Sequence, residues 1–413
     1  MTQPGISIRH RKLHYGWVIV ATGALGLFSC FGLARYAYSM LLPGMQAGLG
    51  LSYDLMGFIG TANFAGYLLS VLAAPRVMRR LRPRRMAALG LVIIALSMIG
   101  IGVCSGFLPI LVLYALAGAG SGFTNIPLMT LVTYWFRSEQ RGKAAGLVIA
   151  GNGVGIILAG FLIPALNRSF GADGWRSGWI VLGAISLGVA ACAAAFLRNH
   201  PSEMGLEPVG QRPRIAPEQF IPREGRGDAL ILIRLGLLYL VFGVTFMVFG
   251  TFIVTTMVNE YGFSEAKAGL YWSWVGMFSL FSGVGFGALS DRIGRKWGMA
   301  TVFLVQSAAY LLAGLKLGNS TLVISIVLYG LAVFAIPAIM AAAIGDYLGL
   351  SRAASAFATV TLFFAIGQST GPALAGMIAR TTNSFCSAYL LAAMITAAAA
   401  VFAATLPPPR SDG

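Results

Sequence analysis

Apolar stretches alternate with short polar segments along this chain, and the alternation runs twelve times. A helix needs ~20 mostly apolar residues to cross a bilayer. The pattern predicts spans at 15–43, 54–75, 87–106, 109–136, 143–166, 177–197, 231–258, 266–290, 298–316, 321–345, 353–379 and 385–406. Lipid offers backbone N–H and C=O groups no partner, so each span is expected to be helical. The longest polar interruption, 198–228, is rich in Pro, Gly, Arg and Glu and reads as a linker. It divides the chain into an N-terminal half at 1–197, a linker at 198–230, a C-terminal half at 231–406 and a tail at 407–413. The expected fold is an all-α membrane protein of twelve transmembrane helices in two six-helix halves.

The two halves share a pattern. Residues 151–160 (GNGVGIILAG) lie over 367–376 (GQSTGPALAG), with Gly, Gly, Leu, Ala and Gly at identical spacing, 216 residues apart. The same offset lays 75–80 (PRVMRR) over 291–296 (DRIGRK). One offset aligning two separate segments points to an internal repeat. Parallel repeats of this kind occur in secondary transporters, where the substrate site lies near the bilayer midplane. Glycines at 118, 120, 122, 151 and 155 are expected to let helix backbones approach closely.

Composition agrees with the pattern. Only 10% of residues are charged and 57% are hydrophobic, against about 25% charged in soluble domains. The net charge of +16 is a topology signal. With both termini on one face, that face holds 23 of the 29 Lys and Arg, and the other holds Arg168, Arg176, Lys267, Lys316 and Arg380. Such a bias marks the crowded face as cytoplasmic, here that of a bacterial inner membrane. It also accounts for the basic run 76–85, so no nucleic-acid partner is expected. The N-terminal stretch shows no small-residue cleavage site and is expected to lead into the first span, not to be a removable signal peptide. Cys30, Cys104, Cys192 and Cys386 fall in or beside spans without metal-ligand spacing. They are expected to be packing residues, and no metal or cofactor is expected.

The one basic residue assigned to neither face is Arg35. A charge inside a span costs ~3 kcal/mol on insertion scales, so it needs a role or a partner. Helical spacing puts Phe31, Gly32, Tyr38 and Ser39 on its face, with Phe28 a turn further. Two readings stand. The guanidinium binds a substrate carboxylate through a bidentate contact, or it reaches the headgroups or pairs with Asp54. All 13 acidic residues map to loops or span ends, and His10, His14 and His200 fall on the cytoplasmic side. No span interior therefore offers a proton relay. Asn125 precedes Pro127 in the fourth span, and Pro127 is expected to distort that helix. Asn63 and Tyr67 share a face of the second.

Residues 287–296 (GALSDRIGRK) resemble the loop between helices eight and nine of the major facilitator superfamily. The resemblance implies a latch in which Asp291, Arg292 and Arg295 hold neighbouring helices together on the cytoplasmic side. The first-half loop departs from it: Pro75 replaces the acid and Met78 the turn glycine. Its arginines, 76, 79, 80, 82, 84 and 85, are left to find other acids such as Asp346, or anionic lipid headgroups. Residues 135–146 (WFRSEQRGKAAG) and Gly174-Trp175-Arg176 with Trp179 are similar to the family's other junctions. Residues 201–208 (PSEMGLEP) resemble the segment after helix six in the monocarboxylate and oxalate–formate branches. Residues 31–38 (FGLARYAY) with Leu41-Leu42-Pro43 resemble a bacterial branch with an arginine in helix one, which implies no substrate.

The resemblance implies a cavity lined by helices 1, 4, 7 and 10 and flanked by 2, 5, 8 and 11. The candidate substrate-binding residues are then Arg35, Phe28, Phe31, Tyr38, Asn125, Asn152, Gln368 and Tyr329, with Phe246 and Phe249 as weaker choices. The candidate latch is Asp291, Arg292, Arg295 and Asp346. Monocarboxylate carriers place an arginine in helix eight; 271–290 has none, so Arg35 has to stand in for it. The expectation is a monomeric carrier in the bilayer, not an enzyme. It moves small organic anions, monocarboxylates first, by alternating access with proton symport or anion exchange. An exporter of hydrophobic drugs or metabolites is the alternative.

Overall fold

The computed structural model describes residues 14–210 and 226–408. His10, the middle of the expected linker and the end of the tail lie outside the described residues. Helix α1 runs Gly16–Leu49, α2 53–81 and α3 83–103. Next come α4 Phe107–Trp135, α5 Ser138–Phe170 and α6 Gly174–Phe196. Helix α7 spans Arg226–Thr255 and continues as a wider coil over Thr256–Glu260. Then follow α8 Glu265–Ile293, α9 Arg295–Gly314, α10 Asn319–Leu348, α11 Leu350–Thr382 and α12 Cys386–Ala404. The isolated bridge Phe136–Val209 ties the segment after α6 to the α4–α5 junction.

Among the described residues, ten continuous helical stretches are long and apolar enough to cross a bilayer. Two are far longer than one crossing: Tyr53–Val103 has 51 residues and Glu139–Phe196 has 58. The second is broken by a tight turn at Gly171–Asp173. The first is broken at Arg82, with φ 61° and ψ 155°. That region is ordinarily glycine's and costs other residues ~1–3 kcal/mol. Gly294 holds the same conformation at the α8–α9 turn, with φ 89° and ψ 152°.

This corrects the sequence alignment of the two loops. Arg82, not Met78, occupies the turn, so α2 continues one helical turn beyond the string match. Pro83 explains the shift. Proline suits the first position of a helix and excludes the helical region for the residue before it, so the break falls at Arg82.

The expected close approaches are present. A Cβ on Gly118 of α4 would sit 1.8 Å from the carbonyl oxygen of Asn63 on α2. A Cβ on Gly155 of α5 would meet the Cα of Gly32 on α1 at 2.5 Å. Pro127 does not break α4, which stays helical throughout Phe107–Trp135.

Polar bonds join the first six helices to the last six. Arg380 of α11 pairs with Asp54 of α2 at 2.8 Å, and the Ala373 N–H donates to the Thr61 hydroxyl at 3.1 Å. Asn167 of α5 donates to Glu265 of α8 at 2.6 Å, and Asn259 donates to Gln46 of α1 at 2.8 Å. The Arg380, Asn167 and Asn259 bonds lie at the end of the bundle opposite Gly16, and the Ala373–Thr61 bond lies about two helical turns inside it.

Candidate functional site

Arg35 lies on a stretch of α1, Phe28–Tyr36, that winds more widely than an α-helix. The Ala37 N–H bonds to the Gly32 carbonyl, five residues back. Such wide turns are uncommon and occur often at functional sites. The guanidinium is caged by three rings. Its carbon lies 4.5 Å from the ring centre of Phe31, 4.7 Å from that of Phe64 and 4.8 Å from that of Tyr67. Cation–π contacts reach about 2 kcal/mol when desolvated. They favour the charge without using its N–H donors.

The residue is 9% exposed, and its Nε and Nη2 find no hydrogen-bond partner among the described residues. Leaving a buried donor unpaired costs about 1–3 kcal/mol, and more for a charged group. The side chain is folded into this ring cage and not extended along α1 towards a helix end, and no ion pair joins it to Asp54 among the described residues. Asp54 is occupied by Arg380 and by the Ser52 hydroxyl, the latter at 2.5 Å.

Around the cage the polar groups differ in how they are used. Asn125 donates to the Tyr67 hydroxyl at 3.1 Å and so joins the site through that ring. Arg35, Tyr38, Phe64 and Tyr114 border a cavity of about 10 Å³ that Met247 and Thr251 of α7 close from the other side. That is room for roughly one water. The Tyr38 hydroxyl donates to the Met56 carbonyl at 2.8 Å, and its buried ring packs 4.8 Å from that of Tyr114.

Phe28, Asn152, Gln368 and Tyr329 make no ring stacking, cation–π contact or hydrogen bond with this cluster among the described residues. Asn152 and Gln368 are buried, with Asn152 Oδ1 and both Gln368 amide atoms unpartnered. Tyr329 donates to the Phe246 carbonyl at 3.1 Å and packs 4.3 Å from Phe249. Phe64 was missed by sequence reasoning. The available signal was its position three residues before Tyr67 on one helix face.

The expected latch residues separate in the same way. Arg295 bonds Asp291 on α8 and donates to Asp346 on α10, the latter at 2.5 Å, so one guanidinium joins three helices. Arg292 has no ion pair among the described residues. Asp346 is engaged within the last six helices; the first-half arginines do not reach it.

The chain resembles known proteins in sequence and in fold. The family described as uncharacterised MFS-type transporter YbfB matches residues 27–406. A probable hexose phosphate transport protein of Chlamydia pneumoniae is 28% identical over 42% of this chain, which covers only 38% of that protein. The hexuronate transporter of Bacillus subtilis is 23% identical over 87% of each chain. Monocarboxylate transporter 4 of Rattus norvegicus is 23% identical over 92% of this chain and 80% of its own. Among solved structures, a bacterial homologue of the human lysosomal transporter Spinster, inward-facing and unoccupied, superposes with a TM-score of 0.73. It has 17% identity and covers 95% of both chains.

Proposed function

The chain belongs to this MFS-type family of multi-pass membrane transporters, and on that premise we propose that it carries small organic anions, monocarboxylates first, by alternating access. The observation that carries the reading is the buried Arg35, caged by rings, with two nitrogens unpartnered. A carboxylate or phosphate entering beside it supplies both the counter-charge and the missing acceptors. The names of the relatives support the same chemistry, because hexose phosphates, hexuronates and monocarboxylates are all anions.

In this reading each of the two overlong helices makes a pair of crossings, giving twelve in two six-helix halves. The termini lie in the cytoplasm of a bacterial inner membrane, as the charge bias requires. The bonds sealing the far end then hold the carrier open inward. Coupling is by proton symport, with the substrate or a span-end carboxylate carrying the proton, or by anion exchange. The carrier works as a monomer.

Uptake into proteoliposomes of labelled lactate, glucuronate and glucose 6-phosphate tests the reading. Losing a charge-assisted contact of about 3 kcal/mol lowers uptake roughly 100-fold. Arg35→Lys keeps the charge but not the planar fork, so it also falls well below the parent protein. Undiminished uptake in both variants removes Arg35 from the site.

A further inference from the structure

The α2–α3 turn carries a second cluster of unpaired positive charge, apart from Arg35. A cavity of about 650 Å³ at the α2–α3 turn is bordered by Arg80, Arg82, Arg84, Arg85, Asn199 and Glu203. Arg84 is partly engaged. Its side chain donates to the Ala194 carbonyl at 2.6 Å, and its backbone N–H donates to Asn199 at 3.0 Å. Glu203 is turned to Asn199, accepting from its backbone N–H at 3.2 Å and its side chain at 3.1 Å. The guanidinium groups of Arg80, Arg82 and Arg85 have no hydrogen bond or ion pair among the described residues.

The corresponding turn in the last six helices is neutralised. Three residues before Gly294 stands Asp291, and Arg295 is held by that acid and by Asp346. Three residues before Arg82 stands Arg79. Aligned on the turns themselves, the acid has become a base. At the turn itself, an arginine occupies the glycine-type conformation that Gly294 fills without strain. Strain of this kind persists only where the surrounding structure enforces it, and it clusters at ligand sites and switch regions.

We propose that this turn is a binding site for the phosphate of an anionic phospholipid headgroup. Three unpaired guanidinium groups match a phosphate in charge and in donor geometry. The surface leading to the turn is apolar and outward-facing. Leu69 and Leu72 on α2 are 68% and 52% exposed, and Leu89 and Leu96 on α3 are exposed as well. Acyl chains lie along these leucines while the headgroup enters the cavity. A free phosphate would use the arginines but not the leucines.

The test uses the full-length protein in a neutral detergent. Its melting temperature is followed while dihexanoyl phosphatidylglycerol, dihexanoyl phosphatidylcholine or inorganic phosphate is added. A ligand of the folded state raises that temperature as its concentration passes Kd. Phosphatidylglycerol is expected to raise it by several degrees, about tenfold lower in effective concentration than either control. The double variant R80Q/R85Q loses that preference. Arg82→Gly retains the turn conformation, melts higher than the parent without lipid, and responds less to phosphatidylglycerol. Because it relieves strain, it separates lost binding from lost folding. Equal responses to both lipids, or an unchanged preference in both variants, overturn the proposal. A phosphate response matching that of phosphatidylglycerol assigns the site to a soluble anion and overturns the lipid. No response to any of the three, as when a chain carboxylate already fills the cavity, also overturns it.

Discussion

The helices around Arg35 and those of the last six helices that carry the aromatic cluster are built differently. The side from α1, α2 and α4 keeps polar groups unsatisfied around a buried cation: Arg35 has two unpartnered nitrogens, and Asn125 reaches in through Tyr67. The side from α7, α10 and α11 is mostly a stack of rings, with the unpartnered Gln368 amide on α11 as its exception. Tyr239 lies 4.6 Å from Phe364, Phe242 lies 5.1 Å from Phe246, and the Tyr329 hydroxyl is bonded to a backbone carbonyl. Unpaired polar groups are expensive and are tolerated where a ligand completes them. Saturated aromatic packing makes a wall that slides or seals without choosing a partner. Under the proposed function, the first side recognises charge and the second supplies an apolar surface.

This division can be broken by experiment. The largest effect is expected at Arg35, where Arg35→Ala lowers uptake by about 100-fold while Tm in detergent falls little or rises, because an unpaired buried charge is removed. Asn125→Leu deprives the Tyr67 hydroxyl of its donor, a loss of about 1 kcal/mol, and reduces uptake by roughly fivefold. Gln368→Leu tests the other side. Its amide is buried without a partner, so a purely structural role predicts unchanged uptake and an equal or higher Tm. A drop in uptake of tenfold or more would instead place Gln368 on the substrate. The smallest effect belongs to Tyr329→Phe, which gives up one hydrogen bond of ~1 kcal/mol, lowers Tm slightly and changes uptake less than twofold. If uptake is abolished in that variant, the apolar side does more than pack.

Much of this was legible in the sequence because membrane spans leave strong signals. Length, apolar content and the charge bias gave the helices, and a lone arginine stood out against them. Helical spacing correctly put Phe31 beside Arg35. It did not anticipate that Gly32 faces Gly155 of α5 or that the Tyr38 hydroxyl turns to Met56, because α-helical periodicity assumes a regular coil and Phe28–Tyr36 is wound more widely. Phe64 entered the cage from another helix, a contact between distant residues that local periodicity does not carry. Asn63 shares a helix face with Tyr67 in the pattern, yet its amide donates to the Tyr114 carbonyl at 3.1 Å. The loop register slipped by one helical turn because identical letters were matched, whereas Pro83 decides where the chain bends.

The wide coil in α1 also sets a limit on how this chain can change length. Segment Gly16–Leu27 docks on α5, where a Cβ on Gly151 would meet the Ala24 carbonyl at 2.0 Å. Segment Ala37–Leu49 docks on α2 through Tyr38. Deleting one residue between them turns one segment about 100° against the other. Both dockings cannot then survive. In a loop a one-residue deletion is absorbed; here it is expected to be far less tolerable than most substitutions, making the distance in residues from Ala24 to Tyr38 as much a specification as the residues themselves.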